Sequence, residues 1–337
     1  MAESTEARKT RHLDVCLHED VASRLDAGWD GVRLRHEALP EMALADVEIA
    51  TTFLGLPVRA PLLISSMTGG TARAAEINRR LALAAEAAGI PLGLGSGRAM
   101  LEDDRLRATF DVRSIAPRAI VFANLGAVQF NYGVQVDDAR RLVEQLGANG
   151  LYLHLNPLQE AIQPGGDTNF RGLEPAIANL CAQLEVPVIA KSVGSGIAPS
   201  TAARLVNCGV AAIDVAGAGG TSWALVEGRR ADDPVRERIA EAFGDWGYPT
   251  PAATAALRAA LPNVPLVASG GVRNGVHIAK AIALGADLVG VALPFLRAAE
   301  SSDAAVVGLI DELLTALRIA LFASGSRTLR DLREALA

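Results

Sequence analysis

The sequence is sparing with cysteine. Cys16, Cys181 and Cys208 are the only three, an odd number, far apart and in no metal-binding spacing. That argues against a disulfide framework and against a zinc motif, and points to free thiols in a reducing cytoplasm. Runs of like charge are missing as well. With a formal net charge of −6 and a pI near 5.5, the chain offers no broad basic face, which argues against nucleic acid or an anionic membrane as its main partner. A small anionic substrate stays open, because a local basic pocket fits within an acidic protein. The N-terminal MAESTEARKTR lacks an apolar core, so no signal peptide is expected. The most apolar late stretch, Ala304–Ala323, is interrupted by Asp311, Glu312 and Arg318, and it reads as a core-packed helix rather than a membrane span. No GxGxxG follows the first strand, which weighs against a doubly wound sheet.

What the chain does have is length, apolar content and a beat. Its 337 residues, half of them hydrophobic, allow one large barrel domain with an extension. From Pro61 strands and helices alternate. Strands are expected at Leu62–Ser66, Leu92–Ser96, Ala119–Asn124, Leu151–Asn156, Val186–Lys191, Ala211–Ala216, Leu266–Ser269 and Leu288–Ala292. Helices are expected near Ala72–Ala88, Asp137–Leu146, Leu173–Leu184, Ser200–Asn207, Val276–Leu284 and Asp303–Ala323. Helical spacing of Ile77, Leu81, Ala84 and Ala88 supports the first of these. Eight repeats in this length predict an α/β protein of the (β/α)₈ TIM-barrel class. The barrel would occupy residues 61–325, between an N-terminal arm and extension (1–60) and a C-terminal tail (326–337). The segment 221–250 after strand six is an insertion and a candidate lid. In the extension a helix is expected near Leu13–Leu25 and extended pieces over Arg33–Phe53. Arg8, Lys9 and His12 belong either to a solvated tail or to an arm that folds over the site and neutralises an anion.

Polar residues gather where the strands end. The fourth strand alternates, with Tyr152, His154 and Asn156 on one face and Leu151, Leu153 and Leu155 on the other. Gln159 and Glu160 follow on the loop that would roof a barrel mouth. Ser65, Ser66, Met67 and Thr68 end strand one, Ser96 and Arg98 follow strand two, and Asn124 ends strand three. Lys191 ends strand five, Thr221 follows strand six, and Gly270-Gly271-Val272-Arg273 ends strand seven, with Ala292-Leu293 at the end of strand eight. Lys191 stands in an otherwise apolar strand, so it is either neutral at a cost or paired with an anion. A Schiff-base lysine and a lysine against an electron-rich cofactor are the two readings. Gly-rich turns at strands seven and eight let backbone N–H groups approach a phosphate, which favours flavin mononucleotide.

These motifs carry a resemblance. Arg8-Lys9…His12, Met67-Thr68-Gly69-Gly70, Gly95-Ser96-Gly97-Arg98, the string HLNPLQE at 154–160, Pro164-Gly165-Gly166-Asp167, Gly219-Gly220-Thr221, FGDWGYPT at 243–250 and Ser269-Gly270-Gly271-Val272-Arg273 together resemble the FMN-dependent type 2 isopentenyl-diphosphate delta-isomerase family. The resemblance implies that Ser66, Met67, Thr68, Gly69, Ser96, Asn124, Lys191, Thr221, Gly271, Val272, Arg273, Ala292 and Leu293 hold FMN. It implies that Arg8, Lys9, His12, Ser96, Arg98, Asn156 and Gln159 face a prenyl diphosphate, that His154 and Gln159 are catalytic, and that Glu160 holds Mg²⁺. It also implies a homo-oligomer, tetramer or octamer, and a flavin reduced by NADPH. The reaction would be a 1,3-proton shift between isopentenyl and dimethylallyl diphosphate.

The chemistry is coherent with these residues. A diphosphate needs cations, and Arg8, Lys9, Arg98, His154 and a Mg²⁺ held by one carboxylate would supply them. Gln159 cannot titrate, so it would position rather than transfer. Two residues depart from many relatives: Ser192 where glutamate is common, and Ala216 where serine is common. They leave the prenyl substrate open. The alternatives are an FMN-dependent oxidoreductase of a small acid and a flavin-binding relative acting on another prenyl diphosphate. An IMP-dehydrogenase-like chemistry would need a cysteine on the loop after strand six, and Cys208 precedes that strand.

Overall fold

The computed structural model describes residues 5–337; the first four residues of the predicted extension, and of the segment read as free of a signal peptide, lie outside the described residues. The chain enters through helix α1 (Thr5–His18) and reaches an antiparallel hairpin, β1 (Thr51–Phe53) and β2 (Leu56–Val58). Leu54 and Gly55 make its two-residue turn with φ of 50° and 79°, the doubly left-handed geometry that matches strand twist. Eight parallel strands follow and close into a barrel: β3 (Leu62–Ile64), β4 (Leu92–Gly93), β5 (Val121–Gly126), β6 (Gly150–His154), β7 (Val188–Lys191), β8 (Ala212–Asp214), β9 (Leu266–Ser269) and β10 (Leu288–Val291), with β10 pairing back onto β3. The predicted TIM barrel is therefore the fold.

Strand parity builds the interior in two layers. Leu63, Phe122, Tyr152, Ile189, Ala212, Val267 and Leu288 form one apolar cluster inside the barrel, closed from below by Phe53 and Val58 of the hairpin. Phe53 meets Phe122 edge-on at 6.3 Å, and Phe122 meets Tyr152 likewise at 5.6 Å. Two residues further along each strand the same inward face carries Ser65, Asn124, His154, Lys191, Asp214, Ser269 and Gly290. Because successive side chains alternate, one step of two residues takes the interior from a packed floor to a polar mouth. The intervening residues of each strand, such as Leu151 and Leu153, face outward into the larger core shared with the helices.

The outer ring comprises α2 (Ala72–Ala88), α3 (Arg98–Glu102), α4 (Val136–Leu146), α5 (Pro157–Ile162), α6 (Leu173–Gln183), α7 (Pro199–Asn207), α8 (Trp223–Arg230), α9 (Pro234–Ala242), α10 (Thr250–Ala260), α11 (Gly275–Ala283), α12 (Leu293–Ser301), α13 (Asp303–Ala323) and α14 (Leu329–Leu332). Thr71 caps α2 by accepting the Ala74 N–H, and Gly89 ends it at φ 67°, as capping rules require. Among the described residues no helix is long and apolar enough to cross a membrane.

Three expectations change. The first helix runs Thr5–His18, not Leu13–Leu25. Beyond His18 the backbone turns to pair with the loop after β8, through Ser23 N to Gly220 O and Ser222 N to Val21 O, and Val21 is buried by that pairing. The strand–helix beat also lapses after β4, where α3 has five residues and a 3₁₀ segment, Asp104–Thr109, replaces a full helix. That connection is spent on the barrel mouth. Finally, within the 33–53 region only Thr51–Phe53 is strand; the rest is irregular chain with isolated bridges and a short 3₁₀ turn at Leu44–Asp46. It bridges to the C-terminal tail at Leu34–Leu336 and Glu48–Thr328, and so buries Leu332 and Ala335. The segment 221–250 holds α8 and α9, packed against α1 and α5.

Candidate active site

At the carboxyl ends of the strands lies one large cavity of about 1360 Å³, its mouth included. A smaller one of about 560 Å³ adjoins it, sharing Ser66, Lys191, Thr221, Ala292 and Leu293. The two adjoin through those shared residues, so a group seated in the smaller one would border a ligand in the larger.

The large cavity gathers most of the predicted residues. Helix α1 supplies Arg8, Lys9 and His12; the loops after β3 and β4 supply Ser66, Met67, Thr68, Ser96 and Arg98. Strands β5 to β7 and α5 add Asn124, His154, Asn156, Gln159, Glu160 and Lys191. The smaller cavity takes Gly271, Val272 and Arg273. Gly69 lines neither. A Cβ there would lie 2.0 Å from the Phe110 ring, so this glycine is required by packing.

The smaller cavity is a cradle of backbone. Gly270 and Gly271 both have left-handed φ, 105° and 70°, which only glycine adopts freely. A Cβ on Gly270 would meet Gly217 O at 2.2 Å, and one on Gly220 would meet Gly271 N at 2.7 Å. The loops after β8 and β9 thus interlock with no side chain between them, beside Arg273 and just ahead of the N-terminus of α11. Thr250 Oγ1 ties them by donating towards Ser269 O at 3.2 Å. The buried hydroxyls of Ser65 and Ser66 have no hydrogen-bond partner. Unspent hydroxyls, exposed amides and a lysine in one groove suit a flavin with its phosphate.

The opposite wall is basic and braced by carboxylates. Arg98 pairs with Asp167 at 2.6 Å and with Glu102 at 2.6 Å. Lys9 donates to Ser96 O at 3.1 Å and stands 5.4 Å over the Phe110 ring. Burial, and then the neighbouring Arg8 charge, pull its pKa down to about 7. His154 Nδ1 lies 2.7 Å from Asn124 Oδ1. An amide oxygen only accepts, so the proton is on Nδ1 and Nε2 keeps its lone pair. Burial, then the Lys191 and Lys9 charges, lower His154 to about 3. His154 is therefore neutral and does not add to the cations.

Gln159 is fixed at both ends of its amide. Its Nε2 donates to Glu227 Oε1 at 2.9 Å, and its Oε1 accepts from Asn156 Nδ2 at 3.3 Å. The same Glu227 Oε1 lies 3.0 Å from His12 Nε2, while Oε2 accepts from Arg230 at 2.9 Å. Although burial alone would raise it, these partners hold Glu227 at about 2. Glu160 accepts from Asn156 Nδ2 at 2.8 Å and from the Asp167 N–H at 2.7 Å. Burial raises its pKa against those bonds. Asn156 Oδ1, at the other end of the amide that donates to Glu160, is buried and unpartnered.

Sequence reasoning missed Glu227, which couples α1 to Gln159, and Trp223, which stands edge-on to His12 at 5.2 Å. Both lie in the α8 segment, where Glu227 with Arg230 at i+3 reads as an ordinary surface pair. It also missed Asp214, two residues before the flagged Ala216.

The FMN-dependent dehydrogenase family profile matches residues 167–337. The chain is 54% identical over 329 residues to the isopentenyl-diphosphate delta-isomerase of Xanthobacter autotrophicus, covering 97% of this chain and 96% of that protein. It is 53% identical over 320 residues to that of Synechococcus sp., covering 95% and 92%. Among solved structures, a mandelate oxidase mutant with an FMN adduct superposes with a TM-score of 0.65 at 19% identity, covering 100% of this chain and 93% of that one. A flavocytochrome b2 mutant does so at 0.69 and 16%, covering 97% and 82%. These two share the fold.

Proposed function

The chain belongs to the isopentenyl-diphosphate delta-isomerase family and catalyses isoprenoid isomerisation, and we propose that it interconverts isopentenyl and dimethylallyl diphosphate with reduced FMN, NADPH as the reductant and Mg²⁺. The observation that carries this reading is one cavity with a glycine-lined flavin cradle on one side and Arg8, Lys9 and Arg98 beside Glu160 on the other.

Ser66, Met67, Thr68, Asn124, Lys191, Thr221 and the Gly271–Arg273 turn would hold the flavin. Reduced FMN, when bound, supplies an electron-rich face towards an alkene that gains cationic character, and a nitrogen able to exchange a proton. Lys191 stabilises negative charge on that ring. The basic wall would bind the diphosphate, and Glu160 would hold Mg²⁺, which usually takes one or two carboxylates together with phosphate oxygens and water. Gln159, clamped by Asn156 and Glu227, orients the prenyl group and excludes water. His154 would present the Nε2 lone pair and becomes a donor only where the diphosphate raises its pKa. A homo-oligomer, tetramer or octamer, in the cytoplasm follows from the resemblance; the free thiols of Cys16, Cys181 and Cys208 are in keeping with a reducing compartment.

The test is anaerobic incubation of the protein with FMN, NADPH, Mg²⁺ and isopentenyl diphosphate in D₂O. Deuterium should enter dimethylallyl diphosphate without stoichiometric NADPH consumption. Stoichiometric oxidation of NADPH or of a 2-hydroxy acid, with the prenyl diphosphate unchanged, would overturn the reading in favour of a redox enzyme.

A further inference from the structure

One buried charge in the barrel has been given no role. Asp214 closes β8 with no exposed surface, and in the sheet register it lies beside Lys191 of β7. Its Oδ1 accepts from Ser269 Oγ at 2.6 Å and from the Ala216 N–H at 3.2 Å. Its Oδ2 has no partner. Below it the Tyr152 hydroxyl, also buried, is near enough to feel the carboxylate yet outside hydrogen-bonding geometry. Lys191 in turn donates to the Ser192 carbonyl at 2.7 Å. Asp214 lines neither cavity, whereas Lys191 and Ser269 line the cradle. It therefore lies in the same layer as the lysine, beside it but shut off from the flavin groove.

A packed barrel interior would accommodate an apolar residue here more cheaply than a carboxylate, since an uncompensated buried charge costs several kcal/mol. Lys191, its neighbour in the sheet register, carries the opposing charge, though the two make no ion-pair contact. Burial lowers the Lys191 pKa, and Asp214 is the group that opposes this; burial raises Asp214, and Lys191, Ser269 and the Ala216 N–H oppose that. Resting on the flavin reading above, we propose that Asp214 is a positioning residue that keeps Lys191 protonated and, through that charge, sets the balance between oxidised and reduced flavin. The pair is neutral as a unit, so the oxidised ring does not face an uncompensated cation, while the charge stays available when the ring becomes electron-rich.

The other groups facing this pair are few. His154, beside Lys191 on β6, is lowered to about 3 and stays neutral above pH 5. Lys9, which acts on His154 from α1, has its pKa near 7, but does so in wild type and variants alike. Burial keeps Tyr152 well above its usual range.

The experiment measures dissociation constants of oxidised and reduced FMN between pH 6 and 9 for the full-length wild type, Asp214→Asn, Lys191→Met and the double variant. With Asp214→Asn the unbalanced lysine should favour the reduced form about tenfold at pH 6, equivalent to ~30 mV for a two-electron couple. That advantage should fade as pH rises and the lysine, deprived of its counter-charge, loses its proton. In the Lys191→Met background the same substitution should change nothing; weaker binding there cancels in the ratio. A ratio within about twofold of wild type at every pH, or a shift that persists without Lys191, overturns the proposal. If Asp214→Asn does not fold, Ser269→Ala tests it instead. Losing the 2.6 Å bond should move the ratio the same way by a smaller factor, and an unmoved ratio counts against the proposal. Wild type that binds neither FMN form would instead overturn the flavin reading itself.

Discussion

At the scale of single residues, the cations of the site are not equivalent. Arg98 is charged at any working pH, but Lys9, lowered to about 7, is half-protonated when the site is free. Binding an anion draws a proton onto it. KM for the diphosphate should therefore rise with pH above about 7, by up to ~10-fold per unit, and Lys9→Arg should flatten that profile in steady-state assays from pH 6 to 9. His154 behaves oppositely. Its folded pKa, about 3, lies below the ordinary value, so the unfolded chain binds the extra proton first. Its contribution to stability is complete above the unfolded pKa of ~6.5 and is lost as pH falls towards 3. His154→Asn should thus lose less stability than wild type between pH 7 and pH 4, read from urea midpoints at both. Glu160→Gln should weaken Mg²⁺ activation by at least ~10- to 100-fold, seen as a shifted metal titration. Much of this site is legible in the chain, because strand parity places His154, Lys191 and Asn124 on one face and Gly-Gly turns announce the cradle. Glu227 is not, since nothing local distinguishes a carboxylate at i−3 to arginine from a surface pair until α1 and Gln159 arrive from distant parts of the chain.

At the scale of elements, the hairpin β1–β2 does what no barrel strand does: Phe53 plugs the floor. Phe53→Ala leaves a void under Phe122 and should cost about 3–5 kcal/mol in urea unfolding, with FMN affinity unchanged because the apolar layer separates the plug from the mouth. The eight strands are readable from their apolar runs and spacing, α2 from the helical spacing of its apolar residues and α13 from its long apolar stretch. The start of α1 is not. Apolar Leu13, Val21 and Leu25 suggest a later helix, but Val21 is satisfied by pairing with the loop after β8, a tertiary contact that overrides local pattern.

At the scale of the whole molecule, the fold assigns stability to the amino ends of the strands and chemistry to the carboxyl ends, while the N-terminal extension reaches both. The same stretch of chain contributes Arg8, Lys9 and His12 to the mouth, Phe53 to the floor and Leu34 to a bridge with Leu336 near the C-terminus. The assembled protein should elute as one species of about four or eight times the 35.1 kDa chain, measured by light scattering; a stable monomer that retains full activity would remove assembly from the account.

Glu227 Oε1 receives both His12 and Gln159, and this shared oxygen ties the N-terminal helix α1 to α5. The position of α1 is therefore felt, through one buried carboxylate that Arg230 also holds, at the amide of Gln159.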